Sequence, residues 1–248
     1  MVATFRKSDL LSGQELVQPK EREKIVIAVD GPSASGKGTL AKKLAERLGY
    51  AYLDTGALYR AVGFATLEMG GNPADVADVT PALSIVLRNL TPELLSNAAL
   101  RTAAVADAAS KVAALPEVRL ELLDFQRDFA ANPPGKVGGA VLDGRDIGTI
   151  VCPDADVKFF VTAKVEERAR RRLAELKDNG SALTLAQVVA DLEARDRRDA
   201  ERAMAPTRVA NDAYVLDTTI LSAPQVVEDA IAVIRSKFLE LTDDGVVV

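Results

Sequence analysis

Residues 31–39 read Gly31-Pro32-Ser33-Ala34-Ser35-Gly36-Lys37-Gly38-Thr39, directly after the apolar run Ile25, Val26, Ile27, Ala28, Val29 and directly before a helix-like stretch at 40–48. Strand, glycine-bearing loop and helix in that order read as a phosphate-binding loop. Such a loop turns successive backbone N–H groups inward and ends on a helix N-terminus, where unpaired donors and the positive dipole end favour an anion. Gly31 and Gly36 permit the tight path, and Lys37 brings a point charge for the terminal phosphates of a nucleotide. Without the flanking strand and helix, the same residues would mark only a glycine-rich turn.

The residue after the lysine narrows the reading. The common pattern has Ser or Thr there, holding Mg²⁺ through its hydroxyl, whereas here Gly38 intervenes and Thr39 follows. Direct hydroxyl ligation of a metal at position 38 is excluded, and Thr39 is expected to bond a phosphate. Lys-Gly-Thr resembles the form used by nucleoside monophosphate kinases, which implies that phosphates and water carry most of the metal's coordination.

Composition removes several classes of chemistry. Histidine is absent from the 248 residues, which excludes Ser-His-Asp and Cys-His catalysis and the two-histidine zinc motif. A single cysteine, Cys152, excludes an internal disulfide, and there is no Cys/His cluster for a structural zinc. Any reaction must rest on Lys, Arg, Asp or a bound metal. The formal charge of −5 argues against a nucleic-acid partner held by bulk electrostatics. No apolar run approaches the roughly 20 residues of a membrane helix. The expectation is a cytoplasmic monomer with no membrane or nucleic-acid partner. A flexible N-terminal extension is expected at 1–23 and a flexible tail at 242–248, around a domain at 24–241.

Beyond the loop, short strands are predicted at 51–53, 140–142, 157–161 and 214–216, with helical patterns between and after them. After the second strand, Leu58, Val62, Ala65 and Met69 recur at helical spacing, with Arg60 off that face; Pro73 and Pro81 are expected to break the next stretch. The Ala/Leu-rich stretch from 81 to 131, with Ala104, Ala108 and Val112 four apart, reads as helices inserted between two strands. Helices are also predicted at 165–177, at 185–204 behind the capping box Thr184/Gln187, and behind a second box, Ser222/Gln225, with Val227, Ile231, Ile234 and Phe238 on one face. Asp178-Asn179-Gly180 reads as a turn. The alternation implies an α/β fold with a parallel sheet covered by helices on both faces. Gly31, Asp54, Asp143 and Arg145 all fall at carboxyl ends of strands, where such sheets bind ligands.

The segment 165–202 is dense in charge but balanced in sign, so most of it reads as an ion-paired helical hairpin. Arg195, Arg198, Asp199 and Arg202 lie three or four apart and share a helix face that suits a phosphorylated, hydroxyl-bearing ligand. Arg168, Arg171 and Arg172 are candidates for the donor phosphates. Asp143, at a strand end, suits either Mg²⁺ and its water shell or a cap on the turn at Gly144.

Taken together, these stretches resemble the bacterial cytidylate kinases over about residues 24–240. The matching segments are GPSASGKGT, LDTGALYRAV at 53–62, RTAAVADAASKVAALPEVR at 101–119, LDGRDIGTIVCPDADVK at 142–158, EERARRR at 166–172 and RDRRDAERAMAP at 195–206. The resemblance implies a P-loop three-layer fold with a five-stranded parallel sheet. Its core would be 24–68, 140–164 and 206–241, with a monophosphate-binding insertion at 69–139 and a lid at 165–205. It implies transfer of the γ-phosphate of ATP to CMP or dCMP with Mg²⁺ as cofactor. ATP would be held by residues 31–39 with Arg168, Arg172 and Arg198. Arg60, Arg145 and Arg202 would hold the CMP phosphate, Arg195 and Asp199 the sugar, and Ser110, Arg119 and Asp146 the cytosine, with Thr55 and Tyr59 lining that pocket. Lys37, Arg145, Arg195 and Arg202 would act in catalysis.

Three departures from the family pattern carry expectations of their own. Ala34-Ser35 stands where Gly-Ala is usual, so Ala34 is expected to avoid positive φ and shift the loop. Thr55 replaces Ser and keeps the hydroxyl. The 132–139 loop is longer. Two rival readings share the loop and fold: a P-loop kinase for another small acceptor, and a nucleotide-gated switch or regulatory ATPase. The absence of an Asn-Lys-x-Asp sequence weighs against a GTPase switch.

Overall fold

The computed structural model describes residues 24–178 and 182–240. The expectations for 1–23, for the turn at 179–180 and for 242–248 lie outside the described residues. At the centre stands β1 (Ile25–Asp30), flanked by β3 (Gly139–Gly144) and β4 (Val157–Thr162), with β2 (Ala51–Asp54) and β5 (Tyr214–Asp217) outermost. Every pairing is parallel. Buried on both faces, β1 and β3 read as continuous apolar runs without alternation, as central parallel strands do.

Helix α1 (Lys37–Leu48) starts on the loop's lysine and turns Leu40, Ala41, Leu44 and Ala45 to the sheet. With Val227, Ala230, Ile231 and Ile234 of α9 (Ala223–Glu240), it covers Ile27, Val29, Val141, Phe159 and Val161. The opposite face, Ala28, Leu53, Ala140 and Leu142, packs against α6 (Pro116–Ala131) and a π-type turn at Ile147–Val151. The Thr184/Gln187 capping box forms in full, and Ser222/Gln225 forms the half in which the glutamine side chain accepts from the cap. Thr184 opens α8 (Leu185–Glu201), which ends short of the predicted 204, and Ser222 bonds Gln225 Oε1 through its N–H at 2.9 Å and its hydroxyl at 2.7 Å.

Between β2 and β3 run α2 (Thr55–Glu68), α3 (Val76–Arg88), the short α4 (Pro92–Ser96), α5 (Ala103–Val112) and α6. They share an apolar cluster built on Leu58, Val62, Val79, Leu83, Val112 and Leu122. Three expectations are corrected here. Pro81 sits inside α3, on its exposed side; its interior position costs about 3 kcal/mol, and the burial of Val79, Ala82, Leu83 and Val86 around it offsets that. The buried stripe of α5 is Val105, Ala108, Ala109 and Val112, leaving Ala104 exposed, and Met69 lies exposed past the end of α2.

Helix α7 (Val165–Asp178) pairs with α8 as a hairpin with an apolar seam of its own, Ala169, Leu176, Val188 and Leu192. Among the described residues, no helix is long and apolar enough to cross a membrane.

Candidate active site

The carboxyl ends of β1, β2 and β3 open on one cavity of about 1340 Å³. One end of it is the loop after β1, contributing Ser33, Ala34, Gly36, Lys37, Gly38 and Thr39. Gly31 and Pro32 lead into that loop and Ser35 is fully buried behind it. A Cβ on Gly31 would lie 2.0 Å from the Val161 carbonyl oxygen, so only glycine lets β1 turn so close to β4. Ala34 departs from expectation: it holds φ at 58°, in the left-handed region. The loop therefore keeps its path, at a cost of about 1–2 kcal/mol for a residue with a Cβ.

Lys37 Nζ stands 3.8 Å from Asp143 Oδ1, and Tyr52 donates its hydroxyl to Asp143 Oδ2 at 3.4 Å. The carboxylate thus faces the loop's lysine, away from the turn-capping alternative at Gly144. A Cβ on Gly38 would come within 2.8 Å of Asp143 Oδ2. The missing side chain at 38 and the carboxylate at 143 therefore occupy one space, which explains why no hydroxyl residue comes directly after the lysine. Burial pushes Asp143 up to about 6, against the pull of Lys37. Burial, then the charge of Arg145, pushes Lys37 down to about 8.

The other end of the cavity is crowded with guanidinium groups. Arg60 donates to Asp54 at 2.6 Å, while Asp54 also caps α2 through the Ala57 N–H. Arg145 donates Nε to Asp199 at 3.0 Å. Buried Nε atoms of Arg60, Arg195 and Arg202, and the buried Oγ of Ser110, have no hydrogen-bond partner among the described residues. Burial, then the charge of Arg145, holds Arg195 down at about 10, and burial lowers Arg202 as well. Positive charge packed this closely, with donors unused, is the electrostatic signature of an anion site. Beyond the arginines, Arg119 donates to the carboxylate of Asp146, both groups buried, and its guanidinium lies 5.5 Å from the centre of the Tyr59 ring. Thr55 directs its hydroxyl to the Asp143 carbonyl at 2.7 Å.

Residues 27–236, spanning both ends of this cavity, match the model of the family described as cytidylate kinase. The chain belongs to the cytidylate kinase family. A cytidylate kinase of Paramagnetospirillum magneticum is 55% identical over 212 residues, covering 86% of this chain and 98% of that protein. One of Granulibacter bethesdensis is 54% identical over 215 residues, covering 87% and 99%, and one of Rhodospirillum rubrum 52% over 213, covering 86% and 98%.

In this cytidylate kinase family member, three arginines expected at the donor phosphates, Arg168, Arg171 and Arg198, are held by protein groups and do not line the cavity. Arg168 does not line the cavity; it donates to the carbonyls of Ala163 and Ser33 and to Asp196. Arg198 reaches across to Asp107 of α5 at 2.9 Å. Arg172 does line the cavity, held by Glu175 at 3.0 Å. Arg195, Asp199 and Arg202 meet at the cavity, although Arg202 lies just past the end of α8 and donates to the Ala205 carbonyl.

Several contributors escape a reading of the sequence. Asp54, already placed at the site by its strand end, adds an orienting contact to Arg60 that the sequence does not show. Asp30 accepts the N–H groups of Ile147 and Gly148, each at 2.8 Å, and so ties the segment after Arg145 and Asp146 to the central strand. Tyr52 and Thr218 carry no local signal, because each finds its partner across a long stretch of chain, and Asp107, whose local signal is an i,i+4 pair with Lys111, meets Arg198 in the same way.

Proposed function

We propose that the chain transfers the γ-phosphate of ATP to CMP or dCMP, giving ADP and the cytidine diphosphate. What supports this most is the meeting, in one cavity, of a phosphate-binding loop with arginines whose buried donors lack partners. A single nucleotide on the loop would leave those donors unused; a second phosphate facing the first would engage them. The relatives' name, cytidylate kinase, identifies an acceptor that fits.

Phosphoryl transfer spreads negative charge over the transferred oxygens, so the protein's work is positioning and neutralisation. Lys37 and the loop amides hold the donor phosphates. Arg60, Arg145 and Arg202 hold the acceptor phosphate in line with them, and Arg195 with Asp199 takes the sugar. Ser110, Arg119 and Asp146 read the base: a carboxylate accepts from the exocyclic amine of cytosine and repels the O4 of uracil. No covalent intermediate on the protein is required. The α7/α8 hairpin acts as a lid that excludes water, since hydrolysis competes with transfer.

The cofactor in this reading is Mg²⁺. Asp143 fits it: a buried hard oxygen donor beside the loop's lysine, in the space that Gly38 leaves. When bound, the ion neutralises phosphate charge, with phosphate oxygens and water completing its coordination. The protein is proposed to act as a cytoplasmic monomer.

The test is ADP formation from Mg·ATP with CMP, dCMP, UMP and AMP side by side. CMP and dCMP are expected to turn over and the other two to lag far behind. Equal rates, or turnover with another acceptor class alone, would overturn the assignment.

A pH profile is also expected. Below about 6, Asp143 takes a proton and its negative charge is lost; above about 8, Lys37 loses the charge it brings to the phosphates. The profile of kcat/KM for ATP, which reports the free protein, should fall on both sides of that window. The kcat profile should extend further to the alkaline side, because bound phosphates keep the proton on Lys37. A flat kcat/KM between pH 5 and 9 would contradict these roles.

A further inference from the structure

The left-handed Ala34 is flanked by two restrained carbonyls. Ser33 O accepts from Arg168 Nη1 at 3.2 Å, and Ser35 O accepts from the Thr218 hydroxyl at 2.8 Å. Arg168 and Thr218 are both buried, and both approach the loop from outside the cavity. Each is itself held. Arg168 also donates to Ala163 O at 2.9 Å and to Asp196 at 2.7 Å. Arg171 donates to the Thr218 hydroxyl at 2.9 Å and to its carbonyl at 2.6 Å. Those two contacts occupy acceptor sites on Thr218. They leave its proton for Ser35 O, the nearer of two carbonyls, Thr162 O being at 3.2 Å.

A trans peptide fixes what these restraints do. Carbonyl and N–H of one planar unit point in opposite directions. Pulling Ser33 O outward aims the N–H of Ala34 inward, and pulling Ser35 O outward aims the N–H of Gly36 inward. Backbone strain of the kind Ala34 carries persists only where its surroundings over-determine it. Here the surroundings are two hydrogen bonds, one on each side of the strained residue.

We propose that Arg168 and Thr218, the latter seated by Arg171, are positioning residues for the donor phosphates. They act through the loop, hold Ala34 left-handed and keep two amides turned toward the anion. They explain how a residue with a Cβ occupies a position that would otherwise favour glycine. The proposal rests on the reading that this loop binds nucleotide phosphates and is independent of the acceptor's identity.

The test is a double-mutant cycle read by calorimetric titration of the full-length protein with ADP. Arg168→Met is expected to weaken ADP binding by about 10-fold, the scale of one hydrogen bond from a charged donor. In an Ala34→Gly background, where the left-handed turn needs no restraint, the same change is expected to cost only about 2-fold. Thr218→Val should repeat the pattern and keeps the test alive if Arg168→Met does not fold, while Thr218→Ser should restore wild-type affinity. CMP binding should be unmoved in all of them. Equal losses in both backgrounds would mean that Arg168 acts on the phosphates by charge and would overturn the proposal, as would unchanged ADP affinity. If the wild-type protein binds ADP but does not phosphorylate CMP, the functional reading fails and the cycle still decides this one.

Discussion

Replacing Lys37 with alanine is expected to lower kcat for CMP phosphorylation by about 10³-fold, the scale seen when one preorganised charge is withdrawn from a transition state. Lys37 is the cation of the phosphate loop and lies against Asp143. Without it, the transferred phosphoryl group loses neutralisation on the donor side, where Arg60, Arg145 and Arg202, assigned to the acceptor phosphate, do not compensate. The fold should survive. Asp143 already has its proton affinity raised by burial, so losing Lys37 drives it to the neutral acid and strands no charge. A coupled ADP-release assay and a thermal melt measure both halves of the prediction. An unchanged kcat, with the variant folded, would remove Lys37 from the reaction.

Asp146→Asn is expected to act on the other substrate. It keeps the size of the side chain, removes the negative charge and leaves the buried guanidinium of Arg119 without its counter-ion. Breaking such a pair costs about 3–5 kcal/mol, and as much withdrawn from the transition state corresponds to a loss of about 10²–10⁴-fold in kcat/KM for CMP. The amide can also donate to the O4 of uracil, which the carboxylate repels, so the loss for UMP should be smaller and the CMP-to-UMP ratio should fall sharply. Measuring kcat/KM for both acceptors checks this. Equal losses would show that Asp146 supports the pocket without reading the base.

What the sequence discloses divides along a physical line. The sheet, the loop and the capped helices are legible because each rests on neighbours in the chain: an apolar run, glycines at a turn, Thr184 three residues before Gln187. The protein contacts of Arg168 and Arg198 are not legible, for the opposite reason. Helical spacing says which face a residue shares but not what the facing element offers, and here the facing elements offer the Ser33 carbonyl and Asp107. Ala34 defies its local preference because hydrogen bonds from residues more than a hundred positions away set its conformation. Pro81 shows the same override in a helix, with tertiary packing outweighing a residue that ordinarily ends one.

The hairpin of α7 and α8 buries Ala169, Leu176, Val188 and Leu192 largely against one another. Its links to the remainder named above are polar: Arg168 to the loop, Arg171 to Thr218, Arg145 to Asp199, Arg198 to Asp107. A displacement of this unit would therefore trade salt bridges and hydrogen bonds while covering or uncovering little apolar surface. Its equilibrium should carry almost no change in heat capacity.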